Sequence, residues 1–183
     1  VQQLLLLSYR RQIRTEAEKL FGPLAATTAD GRTLPALSEL ASRTGDAGRG
    51  RAAFAKSCAA CHSAGGGGAD FGPGLGEIGS KLGKEAIFTA IVHPSAGIAF
   101  GYEGSVLKMK DGTEAAGIIS SETSDEVELK RVGGVTTRYR KAEIASRWRI
   151  DRSPMPEGLA GTMTEQELVD LVEYLSTLKR AGA

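Results

Sequence analysis

Residues 58–62 read Cys-Ala-Ala-Cys-His, and this spacing of two thiols and an imidazole is typical of covalent haem attachment. Thioether bonds would join a porphyrin to Cys58 and Cys61, and His62 would then face the iron. Residues three and four positions apart lie on the same side of a helical turn, so the three side chains can reach one bound group. The motif therefore predicts haem c held by these three residues.

Two other functions of a Cys-x-x-Cys pair, a redox dithiol and half of a zinc site, fit the rest of the sequence less well. The chain contains two cysteines and two histidines, so a four-ligand zinc site would lack a second cysteine pair. The other histidine, His93, is far along the chain. A thioredoxin-like motif would need a βαβ context, whereas residues 50–57 predict a short helix leading into the motif.

Composition excludes several classes of protein. The 183 residues suffice for one domain with a core, or for a small domain with an elaboration, and the net charge of +1 gives no sign of nucleic-acid binding. Aromatic residues make up only 5% of the chain, so a bound haem would help to complete the core. The Leu4–Leu7 run is far shorter than the ~20 apolar residues of a membrane span, and arginines follow it too soon for a signal-peptide core.

The first 44 residues predict a helical extension or linker. Helical spacing of apolar residues covers residues 3–21, which end at Gly22-Pro23, and a second short helix is predicted at about 35–43. Two interpretations of this segment stay open, namely packing against the main domain of residues 45–183 and linkage to an upstream domain. Because the chain begins at Val1 rather than Met, we expect either that a leader was removed or that the chain is a piece of a longer polypeptide. The first forty residues favour the second, since they resemble the end of another helical region.

The main domain begins and ends with helical patterns. The first predicted helix leads into the motif, and a later one at 84–92 has a buried stripe of Ile87, Phe88 and Ile91 before Pro94. Near the end of the chain, Thr164 and Glu167 predict a capping box that opens a helix reaching about Lys179.

Residues 101–147 change to an alternating pattern that is typical of strands. Residues 107–110 and 116–120 flank Asp111-Gly112, and residues 127–130 and 135–139 flank Gly133-Gly134. These two hairpins predict a small antiparallel sheet or partly closed barrel. The fold class is therefore mainly α with an inserted β-sheet, which makes it α+β overall.

Three of these features together resemble a class I cytochrome c. They are the helix carrying Cys58–His62, the Gly72-Pro73-x-Leu75 loop, and the closing helix with Glu173-Tyr174-Leu175. The resemblance implies a cytochrome c fold interrupted by the small antiparallel sheet. It also implies that the carbonyl of Pro73 accepts a hydrogen bond from the second ring nitrogen of His62, which would fix the ring plane.

More specifically, the chain is similar over roughly residues 45–180 to a haem-binding domain family abundant in planctomycetes and verrucomicrobia. In that family a β-rich segment precedes the methionine loop, and members often end large secreted dehydrogenase-like or helical-repeat proteins. The motifs that carry this similarity are Pro94–Glu103, Asp111-Gly112-Thr113, Glu122-Thr123 and Ser153-x-Met155-Pro156-x-Gly158-Leu159.

The sixth ligand of the iron has four candidates. Met155 lies in a proline-flanked loop from which a long thioether can reach a haem, and the family resemblance implies that it is the ligand. Met109 is expected to pack within a hairpin, Met163 to support the start of the last helix, and His93 to lie at the surface or cap a helix. For Trp148, a hydrogen bond to a haem propionate and an ordinary place in the core both stay open.

The resemblance implies a monohaem electron carrier rather than an enzyme. It would pass single electrons between a dehydrogenase and a downstream cytochrome or oxidase, in the periplasm or otherwise outside the cytoplasmic membrane of a bacterium. Three alternatives are kept: a haem enzyme or gas sensor with an open sixth site, an electron-accepting domain of a larger secreted dehydrogenase, and a sheet that docks partners or contacts carbohydrate.

Overall fold

The computed structural model describes residues 11–21 and 26–180. The chain divides into two compact units, one made of the described residues of Val1–Ser57, Gly76–Gly97 and Pro156–Ala183, and the other of Cys58–Leu75 and Ile98–Met155. The division predicted from the sequence, 1–44 and 45–183, stays a prediction. The Leu4–Leu7 run and the Gly22-Pro23 stop lie outside the described residues.

The first unit is helical, and its main helix pair is formed by the helix before the cysteine motif and the last helix. Its helices are α1 (Arg11–Phe21), α2 (Leu37–Ser42), α3 (Ala47–Ser57), α4 (Ile78–Lys81), α5 (Lys84–Val92) and α6 (Glu165–Thr177), with 3₁₀ turns at Pro94–Ala96 and Leu159–Thr162. The predicted helix at 84–92 is confirmed, as are its buried residues.

Helices α3 and α6 approach each other closely at Gly50. A Cβ atom on Gly50 would lie 1.9 Å from the backbone oxygen of Asp170, so a larger residue would push the helices apart. One helical turn later, the rings of Phe54 and Tyr174 pack with centroids 5.7 Å apart. The pair of Phe54 and Tyr174 thus lies one helical turn from the close backbone contact at Gly50.

The predicted capping box at the start of α6 is confirmed. The hydroxyl of Thr164 accepts from the backbone nitrogen of Glu167 at 3.2 Å, and the Glu167 carboxylate accepts from the backbone nitrogen of Thr164 at 2.8 Å. Two otherwise unpaired backbone donors are therefore satisfied. The helix then buries Leu168, Leu171, Val172 and Leu175 in the core of this unit.

A carboxylate is also buried in α6. Asp170 accepts hydrogen bonds from Arg49 Nε at 2.6 Å, from the backbone nitrogen of Asp46 at 2.7 Å and from Gln166 Nε2 at 2.9 Å. These donors, Arg49 above all, hold the pKa of Asp170 below its usual range. The start of α3 is thereby attached to the middle of α6.

The second unit contains an antiparallel sheet. Among the described residues its five strands have the order β4-β3-β2-β1-β5, and they are β1 (Gly104–Met109), β2 (Glu114–Glu122), β3 (Glu126–Lys130), β4 (Thr136–Arg140) and β5 (Ile144–Arg149). Two hairpins were predicted and are present, but β5 was not predicted. β5 is an edge strand, and nearly all of its residues are exposed. It was missed because its sequence has no alternating apolar pattern.

The sheet has a core of its own. Ile119, Tyr139 and Ile144 pack against five buried side chains on one face, namely Leu107, Met109, Ala115, Val127 and Leu129. The turn between β1 and β2 requires Gly112, whose φ of 88° few other residues adopt. The positions of strands β1 to β4 in the chain are thus determined by local turns and by apolar residues at alternate positions.

Candidate functional site

The cysteine motif forms a turn directly after α3. The sequence predicted a helix that carries the motif, but α3 ends at Ser57. The backbone nitrogens of Cys61 and His62 still donate to the carbonyl of Cys58, at 3.0 and 2.9 Å. One turn of helical spacing therefore continues through the motif, which is what the attachment chemistry needs.

The chain then folds back on this turn through a glycine-rich loop. Backbone nitrogens of Phe71 and Gly72 donate to the carbonyl of Cys61 at 3.1 and 2.6 Å, and that of Ala69 donates to Ala59 at 2.8 Å. Gly68 has a φ of 96°, and a Cβ there would lie 2.1 Å from the carbonyl oxygen of His62. Glycine at position 68 is therefore required for the close approach of two backbone segments.

The His62 ring is fixed on one side by the returning chain. Its Nδ1 lies 2.8 Å from the carbonyl oxygen of Pro73, which confirms the predicted hydrogen bond. A carbonyl can only accept, so Nδ1 carries the proton and Nε2 is the nitrogen that can bind a metal. A Cβ on Gly72 would lie 2.5 Å from His62 Cε1 and 3.0 Å from Nε2, so only glycine leaves room for this ring.

No disulfide joins the two cysteines. Cys58 is buried and Cys61 is half-buried, and burial, with a smaller contribution from Cys61, raises the pKa of the Cys58 thiol to about 11. A thiol of that kind is protonated at neutral pH, unlike the reactive cysteine of a dithiol oxidoreductase. Within residues 11–21 and 26–180, no three side chains of His, Cys, Asp or Glu converge as a metal-binding group, so the zinc alternative lacks its ligands. The donor set fits a haem attached at two sulfurs and bound by one imidazole.

The three methionines have different surroundings. Met109 is buried in the sheet core and Met163 is buried just before α6, in agreement with the packing roles predicted for them. Met155 is half-buried in the irregular segment after β5, where its backbone nitrogen donates to Ser153 Oγ at 3.2 Å. His93 caps the end of α5, and its backbone nitrogen donates to Thr89.

An ion pair that sequence reasoning missed links the sheet to the segment bearing the cysteines. Lys130 Nζ, at the end of β3, lies 2.9 Å from Asp70 Oδ2, in the bend that returns to Cys61. The two residues are 60 positions apart, and no local pattern could have paired them. The interpretation of Trp148 as a core residue is wrong, because its side chain is 45% exposed on β5. Its contact with a haem propionate stays a prediction.

The described helices are all too short or too polar to cross a lipid bilayer. A surface cleft around Asp125 and Arg140, in the part of the chain that the structure describes, contains none of the predicted site residues.

Comparison with curated proteins finds no match. The family model of cytochrome c matches residues 47–125, a range that begins with α3, includes the motif and ends in the loop after β2. Proteins with this domain typically are exported, carry covalently bound haem c and act with redox partners. The match shows that this segment is similar to cytochrome c.

Proposed function

We propose that the chain carries one haem c, attached through Cys58 and Cys61 and bound axially by His62 and Met155, and that it transfers single electrons. The observation that carries this proposal is the environment of His62. Its Nδ1 is bonded to Pro73, and Gly72 leaves the ring just enough room, so Nε2 is oriented for a metal. Bound haem c supplies an iron that gains or loses one electron.

The proposed fold is a mainly α cytochrome c fold with a small antiparallel sheet inserted at about residues 101–147. The match to the cytochrome c model supports the first part, and the antiparallel strands between α5 and α6 support the second. We also propose that the chain is a member of the haem-binding domain family abundant in planctomycetes and verrucomicrobia. The Met155-Pro156 loop after the sheet supports this relationship.

The proposed ligand Met155 would influence both the reduction potential and the reactivity of the iron. A thioether from Met155 favours reduced iron more than a second imidazole would, and so raises the reduction potential. If His62 and Met155 both held the iron, it would have no position for oxygen or peroxide, so the proposed role is that of an electron carrier rather than an enzyme. The proposed partners are a dehydrogenase, which could belong to the same longer polypeptide, and a downstream cytochrome or oxidase. The proposed location is the periplasm or another compartment outside the cytoplasmic membrane.

The methionine ligand is tested by three matched substitutions to leucine, which nearly conserves side-chain volume. Met155→Leu should remove the weak red absorption band that oxidised haem shows when a thioether binds its iron, and should allow carbon monoxide to bind. Met109→Leu and Met163→Leu, at two buried packing positions, should keep the band and exclude carbon monoxide. Loss of the band in either control, with retention in Met155→Leu, would assign the ligand to that control position.

The environment of His62 is tested by alanine substitutions at two nearby glycines. Gly72→Ala should displace the His62 ring and change the visible spectrum, because the new Cβ would overlap the ring. Gly76→Ala is the matched control, since a Cβ at Gly76 has no atom within 4 Å among the described residues. The whole proposal fails if the purified wild-type protein is colourless, or if acidic acetone extracts its pigment.

A further inference from the structure

The sheet of the second unit has two faces, and its core occupies one of them. Neighbours along a strand point to opposite faces, whereas directly paired residues of adjacent strands share a face. Leu107 and Ala115 are paired within the core, so Val106 and Ala116, which are also paired, lie on the other face. Trp148 of β5 pairs with Val106 and lies on that face too. These three residues form one row across β2, β1 and β5.

Another row of the same face lies two positions away on each strand. Ile118 pairs with Gly104 of β1 on one side and with Lys130 of β3 on the other. A Cβ on Gly104 would lie 3.2 Å from Cδ1 of Ile150, so the Ile150 side chain lies over Gly104 on this face. The apolar residues of the two rows are called the second face here, and they are Val106, Ala116, Ile118, Trp148 and Ile150.

Both segments that are proposed to hold the haem are joined to the row that contains Ile118. At one end of this row, Lys130 Nζ lies 2.9 Å from Asp70, in the bend whose backbone returns to the carbonyl of Cys61. At the other end, Ile150 begins the segment that leads to Met155. Both segments belong to the same compact unit as the sheet. The row therefore runs from the attachment segment to the loop of the proposed sixth ligand.

The second face is apolar over a limited area, and its burial changes from one row to the next. Ile118 is 4% exposed, whereas Trp148 is 45% exposed and Ala116 is exposed as well. The row beyond them contains the paired residues Lys108 and Glu114, so the apolar area ends there. Three neighbouring strands span about 10 Å, which is comparable to the width of a porphyrin ring. The open part of this face therefore suits one flat apolar group.

We propose that the second face forms a wall of the haem site, with Val106 and Ala116 against the porphyrin and the indole of Trp148 at its edge. The inference rests on the proposed function and gives the sheet a part in it. Apolar side chains beside a haem exclude water, and a drier environment favours the reduced iron, whose complex carries less charge. The sheet thereby raises the reduction potential.

The test uses the reduced haem protein under carbon monoxide, which keeps the iron diamagnetic whether or not Met155 binds it. The ring current of the porphyrin then displaces the NMR signals of nearby methyl groups. The methyl signals of Val106 and Ala116 should lie outside the ordinary methyl range, whereas those of Val127 and Ala115 on the core face should lie within it. An ordinary position for either Val106 or Ala116 would overturn the inference.

The indole of Trp148 is another source of ring current beside Val106, and the variant Trp148→Leu separates the two sources. The displacement of the Ala116 signal should persist in this variant, because it comes from the porphyrin. Its disappearance would assign the displacement to the indole and would refute the proposed wall.

The effect on the iron is tested by Val106→Thr, which places a hydroxyl on the second face with little change in shape. It should lower the reduction potential measured by spectroelectrochemistry, because a polar group stabilises the oxidised iron. The control Val135→Thr makes the same change at an exposed position in the turn before β4 and should leave the potential as in the wild type. An unchanged potential in Val106→Thr, or an equal change in both variants, would count against the wall.

Failure of the inference is distinguishable from failure of the proposed function. A colourless wild-type protein would refute the proposed function itself. A coloured protein whose Val106 and Ala116 methyl signals have ordinary positions would refute only the placement of the haem against the second face.

Discussion

The helical unit and the sheet unit reach their stability by different routes. In the helical unit, the decisive contacts join residues far apart in the chain, as in the pairing of Arg49 with Asp170, which are 121 positions apart. In the sheet unit, β1 to β4 form from consecutive hairpins, and only β5 returns to pair with the first strand. Close backbone approach between helices is thus decisive in the first unit, whereas side-chain burial in a small core is decisive in the second.

The largest effect is expected from the sheet core. Leu129→Ala removes a fully buried side chain that packs among the five core residues, and the cavity left behind should lower the free energy of unfolding by about 4 kcal/mol. Urea unfolding followed by circular dichroism measures the change. Val135→Ala, at an exposed position in the turn before β4, should change it by less than about 0.5 kcal/mol. Equal losses in both variants would mean that burial does not govern this unit.

In the helical unit, the corresponding destabilising substitution is Gly50→Ala. A methyl group there would overlap the backbone oxygen of Asp170, and separation of the helices should lower the free energy of unfolding by about 3 kcal/mol. The control is Gly48→Ala in the same helix, where a Cβ would meet only a side-chain oxygen of Asp46. That control should be neutral or stabilising by up to about 1 kcal/mol, since alanine favours helix. Similar stability of both variants would contradict the close approach.

A smaller loss is expected from Asp170→Asn. Neutralising this buried carboxylate weakens its charged hydrogen bond with Arg49 and should lower the free energy of unfolding by about 2 kcal/mol at neutral pH. The exposed Asp151→Asn serves as the control, with a change below about 0.5 kcal/mol.

The effect of Asp170 should also depend on pH. Because the folded pKa of Asp170 is lowered, its stabilisation is fully present above the unfolded pKa and is lost as pH falls through the folded pKa. Denaturation curves of wild type and Asp170→Asn should therefore converge on acidification. Curves that stay equally far apart throughout the acid range would rule out a stabilising ionised carboxylate.

The smallest effect is expected at the ion pair between the sheet and the cysteine-bearing segment. Lys130→Ala should lower stability by only about 0.5 kcal/mol, because Asp70 is exposed to solvent and salt. The sensitive measurement is hydrogen exchange at the amides of Phe71 and Gly72, which should become about twofold faster. Lys108→Ala, at an exposed position on β1, should leave these amides unaffected. Unchanged exchange in Lys130→Ala would show that the pair does not restrain this segment.

Features with a local cause could be predicted from the sequence. The attachment pentapeptide, the helix at 84–92, the capping box at Thr164 and the turn at Gly112 each depend on residues within a few positions of one another. Periodicity, caps and turn residues act over that distance. The hydrogen bond between His62 and Pro73, only 11 positions apart, came from the family resemblance and is present.

Other features were decided only by the tertiary structure. From the sequence alone, the types and spacing of Cys58, Cys61 and His62 predict the attachment of haem c. The edge strand β5, the exposure of Trp148 and the ion pair of Lys130 with Asp70 depend on segments that meet after folding. Residues of this kind carry no periodic signal of their own. Their partners are chosen by packing and by charge, and both act between atoms that are close in space but distant along the chain.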